Sequence, residues 1–270
     1  MMDQQRRNLD GLAAAYDEQV HRVRQMVEQF GQDLWASFPD YRDDNIQELV
    51  EAIVPRVQAG QLKTAQLTQA YLIRCAEELG IETTLDPIDQ DAILNGRGVD
   101  PKAVYERPGT TVYTNLANGG SYDQAVHAGG LRLLQLIGGD MQLAKVRQGQ
   151  RTMSRWDGTH YFHRILTGRE NCALCVIAST QHYKVDHVMP IHPGCDCNFG
   201  PIPQGRGADW VIDEKTLEAA HDAVEGRLGV SDRSGRDPDY RKLILVREHG
   251  EYGPTLTWRD QHFTGAHNLA

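Results

Sequence analysis

The sequence predicts a mainly α chain with a small β component, an α+β arrangement. A helical N-terminal region is followed by a cysteine-bearing unit and a C-terminal β-hairpin. Three observations predict it. Apolar residues recur at three- and four-residue steps through the first third and again after Ser121. Aromatic residues are 7 % of the chain against 40 % hydrophobic, which suits extended helices better than a sheet-rich core. Near the C-terminus the pattern changes to two runs rich in β-branched residues around a glycine-bearing turn. A chain of 270 residues can build one large core or two modest ones. Its formal net charge of -9 argues against coating nucleic acid over the whole surface and leaves room for local patches.

The first helix is carried by Leu9, Leu12, Tyr16, Val20, Val23, Val27, Phe30 and Leu34, and ends before Pro39. A second puts Ile46, Leu49, Val50, Ile53 and Val57 inward and meets a kink at Pro55; a third runs from Thr64 to Gly80. Any part of the first stripe that two short neighbours leave uncovered is a docking surface, so residues 1–82 are expected to form a helical docking region. Residues 83–120, with Asn95-Gly96, Asp100-Pro101 and Pro108-Gly109, read as an irregular connection in which Thr110 to Thr114 forms a short strand. Ser121 and Gln124 have the form of a capping box ahead of a long helix. There Gly129-Gly130 and Gly138-Gly139 either break the helix or admit a close neighbour. Arg147, Arg151 and Arg155 fall four apart on one face of that helix, and residues 141–169 hold six Lys/Arg against one acid. This face is a candidate contact for nucleic acid phosphates or an acidic partner, or else a solvated surface. Beyond a helix near Glu214 to Arg227, Leu243 to Val246 and Pro254 to Trp258 pair as a hairpin that must pack on something else. Residues 121–209 and 210–270 are therefore expected to be one folded unit and a helix-plus-hairpin packed on it.

Four of the five cysteines lie in Cys172-Ala-Leu-Cys175 and His192-Pro-Gly-Cys195-Asp-Cys197. Two thiolates two residues apart grip one metal ion from a single turn, and a later pair closes a tetrahedron. Pro193-Gly194 reverses the chain just before the last two cysteines. Five candidates exceed four positions. Cys172, Cys175, Cys195 and Cys197 are the preferred set, with His192 replacing Cys195 or supporting the site from behind. Soft thiolates select zinc over calcium or magnesium; an iron–sulfur cluster accepts the same ligands, and two disulfides or buried thiols are the structural alternative. No secretory leader or membrane span is expected, which places the chain in a reducing cytoplasm where clustered cysteines favour metal. Cys75 lies apart in a helical pattern and reads as a small buried hydrophobe, and His160 and His163 read as ordinary surface or core residues. A nucleophilic cysteine paired with His182, His187 or His192 competes poorly with metal ligation of the same thiols.

The cysteine motif is similar to the end of the phage Mu F-like head morphogenesis domain, found in minor capsid proteins of tailed bacteriophages. The tail, Val246-Arg-Glu-His-Gly-Glu-Tyr-Gly-Pro-Thr-Leu-Thr-Trp258 with Phe263-Thr-Gly265, resembles the C-terminus of such proteins from phages of actinobacteria. The domain-like resemblance covers Gly120 to Pro203. It implies a non-enzymatic minor protein of the virion, inside the head or at the portal vertex. Its implied partners are the portal protein or the major capsid protein, and it is sometimes linked to DNA packaging or delivery. Cys172, Cys175, His192, Cys195 and Cys197 are then the motif residues. Asp196 departs from the pattern, in which a basic residue is common. A rival resemblance lies between the cysteine pairs. Val185-Asp186-His187-Val188-Met189-Pro190 is similar to the opening strand of an HNH-type nuclease. In such an enzyme His187 would activate water and Asp186 would hold or orient a catalytic metal. The later asparagine-bearing strand and final histidine of that motif are not recognisable after Cys197.

Overall fold

The apolar stripe that opens the chain winds into helix α1 (Met2–Ser37), which ends just ahead of Pro39. The computed structural model describes residues 2–166, 172–187, 194–205, 214–229 and 244–262. Helix α2 (Asp43–Leu79) returns alongside α1: Gln5 donates to the Glu78 carbonyl at 2.6 Å, and the Tyr16 and Thr68 hydroxyls meet at 2.7 Å. The second and third helices expected from sequence are thus one element. Pro55 removes a backbone donor at an exposed position. Burial of Ile53 and Val57 on the opposite face outweighs a defect of about 3 kcal/mol. Gly80 ends α2 with φ at 69°, the left-handed conformation that lets its amide reach back to the carbonyls of Ala76 and Glu77.

The stretch 83–120, expected to be irregular, holds helices α3 (Gln90–Leu94), α4 (Pro101–Tyr105) and α5 (Arg107–Ala117). The aspartate and proline residues read as loop markers are helix starters. The Asp89 carboxylate accepts from the Ala92 amide at 3.0 Å, and the Asp100 carboxylate from Lys102 at 2.9 Å; Pro101 and Pro108 open α4 and α5. Thr110 to Thr114 lie within α5 and not in a strand. Thr111 and Thr114 hydroxyls bond back to the carbonyls of Arg107 and Thr110, and Val112 is buried, so tertiary packing overrides β propensity.

Helix α6 (Tyr122–Met153) begins with the expected capping box: the Gln124 amide donates to the Ser121 hydroxyl and the Gln124 side chain accepts from the Ser121 amide. The helix is unbroken, so its glycines serve close approach. A β-carbon on Gly129 would lie 2.7 Å from both Trp35 of α1 and Val112 of α5. At Gly139 it would strike the Tyr252 ring. One hydrophobic core draws on α1, α2, α4, α5 and α6, and so crosses the division expected at residue 120. The α1 stripe is spent there and in a second core with Tyr71, Leu72 and Phe162. Among the described residues of α1 only Met26 is a large exposed apolar side chain, which removes the stripe as a docking surface.

The three arginines expected on one face of α6 are also paired within the chain, and because that helix ends at Met153 the third, Arg155, stands in the turn beyond it. Arg147 donates to the carbonyls of Ala92 and Gly96, Arg151 binds Asp89 at 2.6 Å and Arg155 binds Asp86 at 2.8 Å. These contacts strap the 86–96 segment along the end of α6 and the turn after it, so the candidate phosphate-binding arginines are already paired with acids and carbonyls of the same chain.

After α6 come strands β1 (Tyr161–Ile165), β2 (His182–Lys184) and β3 (Asn198–Pro201), in an antiparallel sheet of order β2-β1-β3 that the sequence did not announce. Its registers pair Phe162 with Tyr183 and with Pro201. Between β1 and β2 stands helix α7 (Ala173–Ser179), and Val185–His187 form a 3₁₀ turn instead of the strand expected there. Helix α8 (Glu214–Leu228) precedes the expected hairpin of β4 (Ile244–His249) and β5 (Gly253–Trp258). The hairpin packs at both ends. Ile244 and Leu256 join Leu174, Cys175, Ile177, Ala220 and Val224 in a third core. At the tip, the Glu251 carboxylate accepts from Arg132 and, at 2.6 Å, from Arg107. These guanidinium groups hold the Glu251 carboxyl below its ordinary range, against the opposing effect of burial, which is the largest single influence. Arg97 joins the Glu251 carbonyl to Asp140, its buried ion pair with Asp140 spanning 2.6 Å.

Two outcomes follow from these cores. Deleting residues 1–37 uncovers the faces of α2 and α6 together, so the truncated chain is expected to lose its cooperative unfolding transition; a truncation that melts like the full chain would contradict the packing. The second concerns His163 on β1. Burial first, and nearby Arg6 second, push its pKa down to about 4. A histidine depressed in the fold stays neutral where the unfolded chain is protonated. Its share of stability is therefore complete above about pH 6.5 and is lost as pH falls toward about 4. Denaturant midpoints across that window should fall more steeply for the parent chain than for His163→Gln, and equal slopes would refute the assignment.

Candidate metal centre

Each cysteine reaches the centre by a different route. Cys172 stands at the N-cap of α7, where its sulfur accepts from the Cys175 amide at 3.4 Å. One turn on, Cys175 is buried by the apolar run Leu174 to Ala178. Gly194, with φ at 81°, turns the chain so that Cys195 and Cys197 enter the same pocket just before β3. His192 and Pro193 lie outside the described residues. The expected turn is visible at Gly194, and four of the five motif residues can be placed.

The sulfurs of Cys175, Cys195 and Cys197 all lie within 4.8 Å of one another and are buried. Cys175 is 3.3 Å from Cys195 and 3.4 Å from Cys172, whose side chain is exposed. A disulfide requires about 2.05 Å, and no pair among these residues forms one. Ligands about 2.3 Å from a tetrahedral metal stand roughly 3.8 Å apart, so the cluster fits a soft metal ion after a small expansion. As thiols Cys175 and Cys197 hold their protons tightly. Hydrogen bonds from Cys172, Cys195 and Cys197, then burial, push Cys175 far up. Cys197 is pushed up to about 12: its bond with Cys175 pulls down and is outweighed by its bond with Cys195, burial and the Cys195 charge. A bound cation reverses that balance by stabilising the thiolates.

The support behind the sulfurs comes from α6. Gln142 donates to the Cys195 carbonyl at 2.9 Å and accepts from the Gly194 amide at 3.2 Å, clamping the turn from both sides. Lys145 is buried and donates to the carbonyls of Asp196 at 3.1 Å and Cys197 at 2.9 Å, and to the Asn198 side chain at 3.2 Å. Burial pushes its ammonium below the ordinary range, and Cys195 and Cys197 push back. Arg164 of β1, only 3 % exposed, lies over the rings of Tyr183 and Phe162 and acts on Cys197 to lower its pKa. Four thiolates on a divalent ion carry two excess negative charges. Two buried cations beside them supply the compensation a low-dielectric site requires.

Spacing alone did not single out Gln142, Lys145 or Arg164. Their signal is a polar residue inside an apolar run: Gln142 and Lys145 interrupt Leu136 to Val146, all of it buried. The remaining candidates stay apart from the cluster. Asp186 and His187 are exposed on the 3₁₀ turn, where the Asp186 carbonyl accepts from Gln150. His182 and His160 are exposed; His182 lies edge-on to Tyr161. Cys75 is buried in the α1–α2 core, and its thiol is pushed up to about 12, chiefly by burial. Among the described residues no helix is long and apolar enough to cross a membrane. The chain matches no family model, no curated protein and no solved structure.

The clamp yields a quantitative expectation. Lys145→Met removes three donors from the Asp196–Asn198 backbone and side chain and one compensating charge. With zinc as the probe, apparent affinity should fall by about 10- to 100-fold while the Cys75→Ser chain keeps parental affinity. A competition titration against a chromophoric chelator measures both, and unchanged affinity in the Lys145 variant would show that the lysine does not support the site.

Proposed function

We propose that this chain is a structural, non-enzymatic component of a tailed-bacteriophage head, of the Mu F-like minor capsid class, in which the cysteine cluster holds a structural zinc ion. The observation that carries the reading is the meeting of Cys175, Cys195 and Cys197 in one buried thiol cluster, with the C-terminal hairpin packed in the same core as α7, which bears Cys175. The cysteine motif and the tail are the two segments on which the family resemblance rests, and Cys175, Cys195 and Cys197 of the one share a core with Leu256 and Trp258 of the other. Cys172, Cys175, Cys195 and Cys197 are the proposed ligands, and His192 belongs to the same motif. Zinc supplies no reaction here; it cross-links a loop too small to bury a core of its own.

Portal protein or the inner surface of the major capsid shell is the proposed partner. The docking surface is not the α1 stripe, which lies in the core, and the paired arginine face makes DNA contact no part of the proposal. Two measurements test the reading. Protein purified under reducing conditions should carry about one zinc per chain and lose it in Cys195→Ser or Cys197→Ser. Co-expression with a portal protein and a major capsid protein of the same phage should yield particles that contain the chain. Particles assembled without it would reject the head assignment. DNA cleavage that disappears in His187→Ala would instead establish the nuclease reading.

A further inference from the structure

The four sulfurs are not equivalent toward solvent. Cys175, Cys195 and Cys197 are buried, whereas Cys172 is exposed at the start of α7 and 3.4 Å from the Cys175 sulfur. A reagent arriving from water meets Cys172 first. Within the cluster Cys172 contacts Cys175, and Cys175 in turn contacts Cys195 at 3.3 Å. We propose that Cys172 is an oxidative modification site for peroxide-class oxidants, with Cys175 as its resolving partner, and that the resulting disulfide unloads the metal. The second half of this statement rests on the zinc reading above.

The chemistry balances within the site. The Cys172 sulfur attacks one peroxide oxygen; the O–O bond breaks, Cys172 becomes a sulfenic acid and the other oxygen leaves as water after taking a proton. The Cys175 sulfur then attacks the sulfenic sulfur; an S–S bond forms, the S–O bond breaks and a second water leaves. Two thiols and one peroxide give one disulfide and two waters. The two sulfurs must close from 3.4 Å to about 2.05 Å, a movement within the freedom of two χ1 rotations one turn apart. Two of four ligands are then withdrawn together. Cys195 and Cys197 alone cannot complete a tetrahedral site. Cys75, buried in a different core, is an internal standard in the same chain.

The test uses the full chain loaded with zinc and treated with hydrogen peroxide. Zinc release to a chromophoric chelator and peptide mapping of disulfides are followed in parallel. Release should track the loss of two hydrogens on a peptide joining Cys172 to Cys175, with Cys75 unmodified. Limiting N-ethylmaleimide on the unmutated chain reports the order of attack: Cys172 should be the first of the four cluster thiols labelled. Earlier labelling of Cys195 or Cys197, or a first disulfide that omits Cys172, overturns the proposal. A chain that forms the 172–175 disulfide but never held zinc overturns the zinc assignment and leaves the modification site standing.

Discussion

Every residue of α6 from Leu136 to Val146 is buried, and three of them, Asp140, Gln142 and Lys145, are polar. An unpaired polar group in such a place costs several kcal/mol, so each obliges a specific neighbour to come to it. Asp140 draws Arg97 and the Tyr105 hydroxyl, which fixes α4 and the segment before it. Gln142 and Lys145 draw the backbone from Gly194 to Asn198, which delivers Cys195 and Cys197 to the thiol pocket. The helix is therefore more than a filler of the core. Its buried polar positions dictate where two otherwise separate parts of the chain must lie.

The hairpin translates between those parts. Its β4 and β5 residues Ile244 and Leu256 lie in the core that contains Cys175, while its tip inserts Tyr252 at Gly139 and Glu251 among Arg107 and Arg132. Removing one partner from the buried Arg97–Asp140 pair beside this tip would leave an uncompensated charge, at a cost of about 3 to 5 kcal/mol. Metal site, hairpin and helical core are thus mechanically continuous. An ion held at the cysteines would therefore stiffen more than the loop that binds it.

The arginine ladder shows why charge patterning needs a fold before it becomes a function. Arg147 and Arg151 share one face of α6 and Arg155 follows in the turn beyond its end, but Asp86, Asp89 and two carbonyls of the 86–96 segment occupy them. Surface pairs of this kind contribute roughly 0 to 1 kcal/mol each, so their main effect is to set where the strap lies. The long apolar stripe of α1 met a similar fate. Two helices of comparable length absorb it, leaving little to offer a partner.

By itself the sequence determined the features that depend on local chemistry: the course of α1, the capping box that starts α6, the hairpin, and the thiols of Cys172, Cys175, Cys195 and Cys197 as one cluster. These are legible because periodicity, caps and short ligand spacings act over a few residues. Tertiary structure decided what depends on partners far along the chain. It carried α2 through Pro55, turned Thr110 to Thr114 into helix and paired Tyr161–Ile165 with strands of little intrinsic propensity. It also placed Lys145 and Gln142 behind the cysteines. In each case burial against a distant segment outweighed a local preference worth about 1 to 3 kcal/mol, and no window of sequence contains both sides of that comparison.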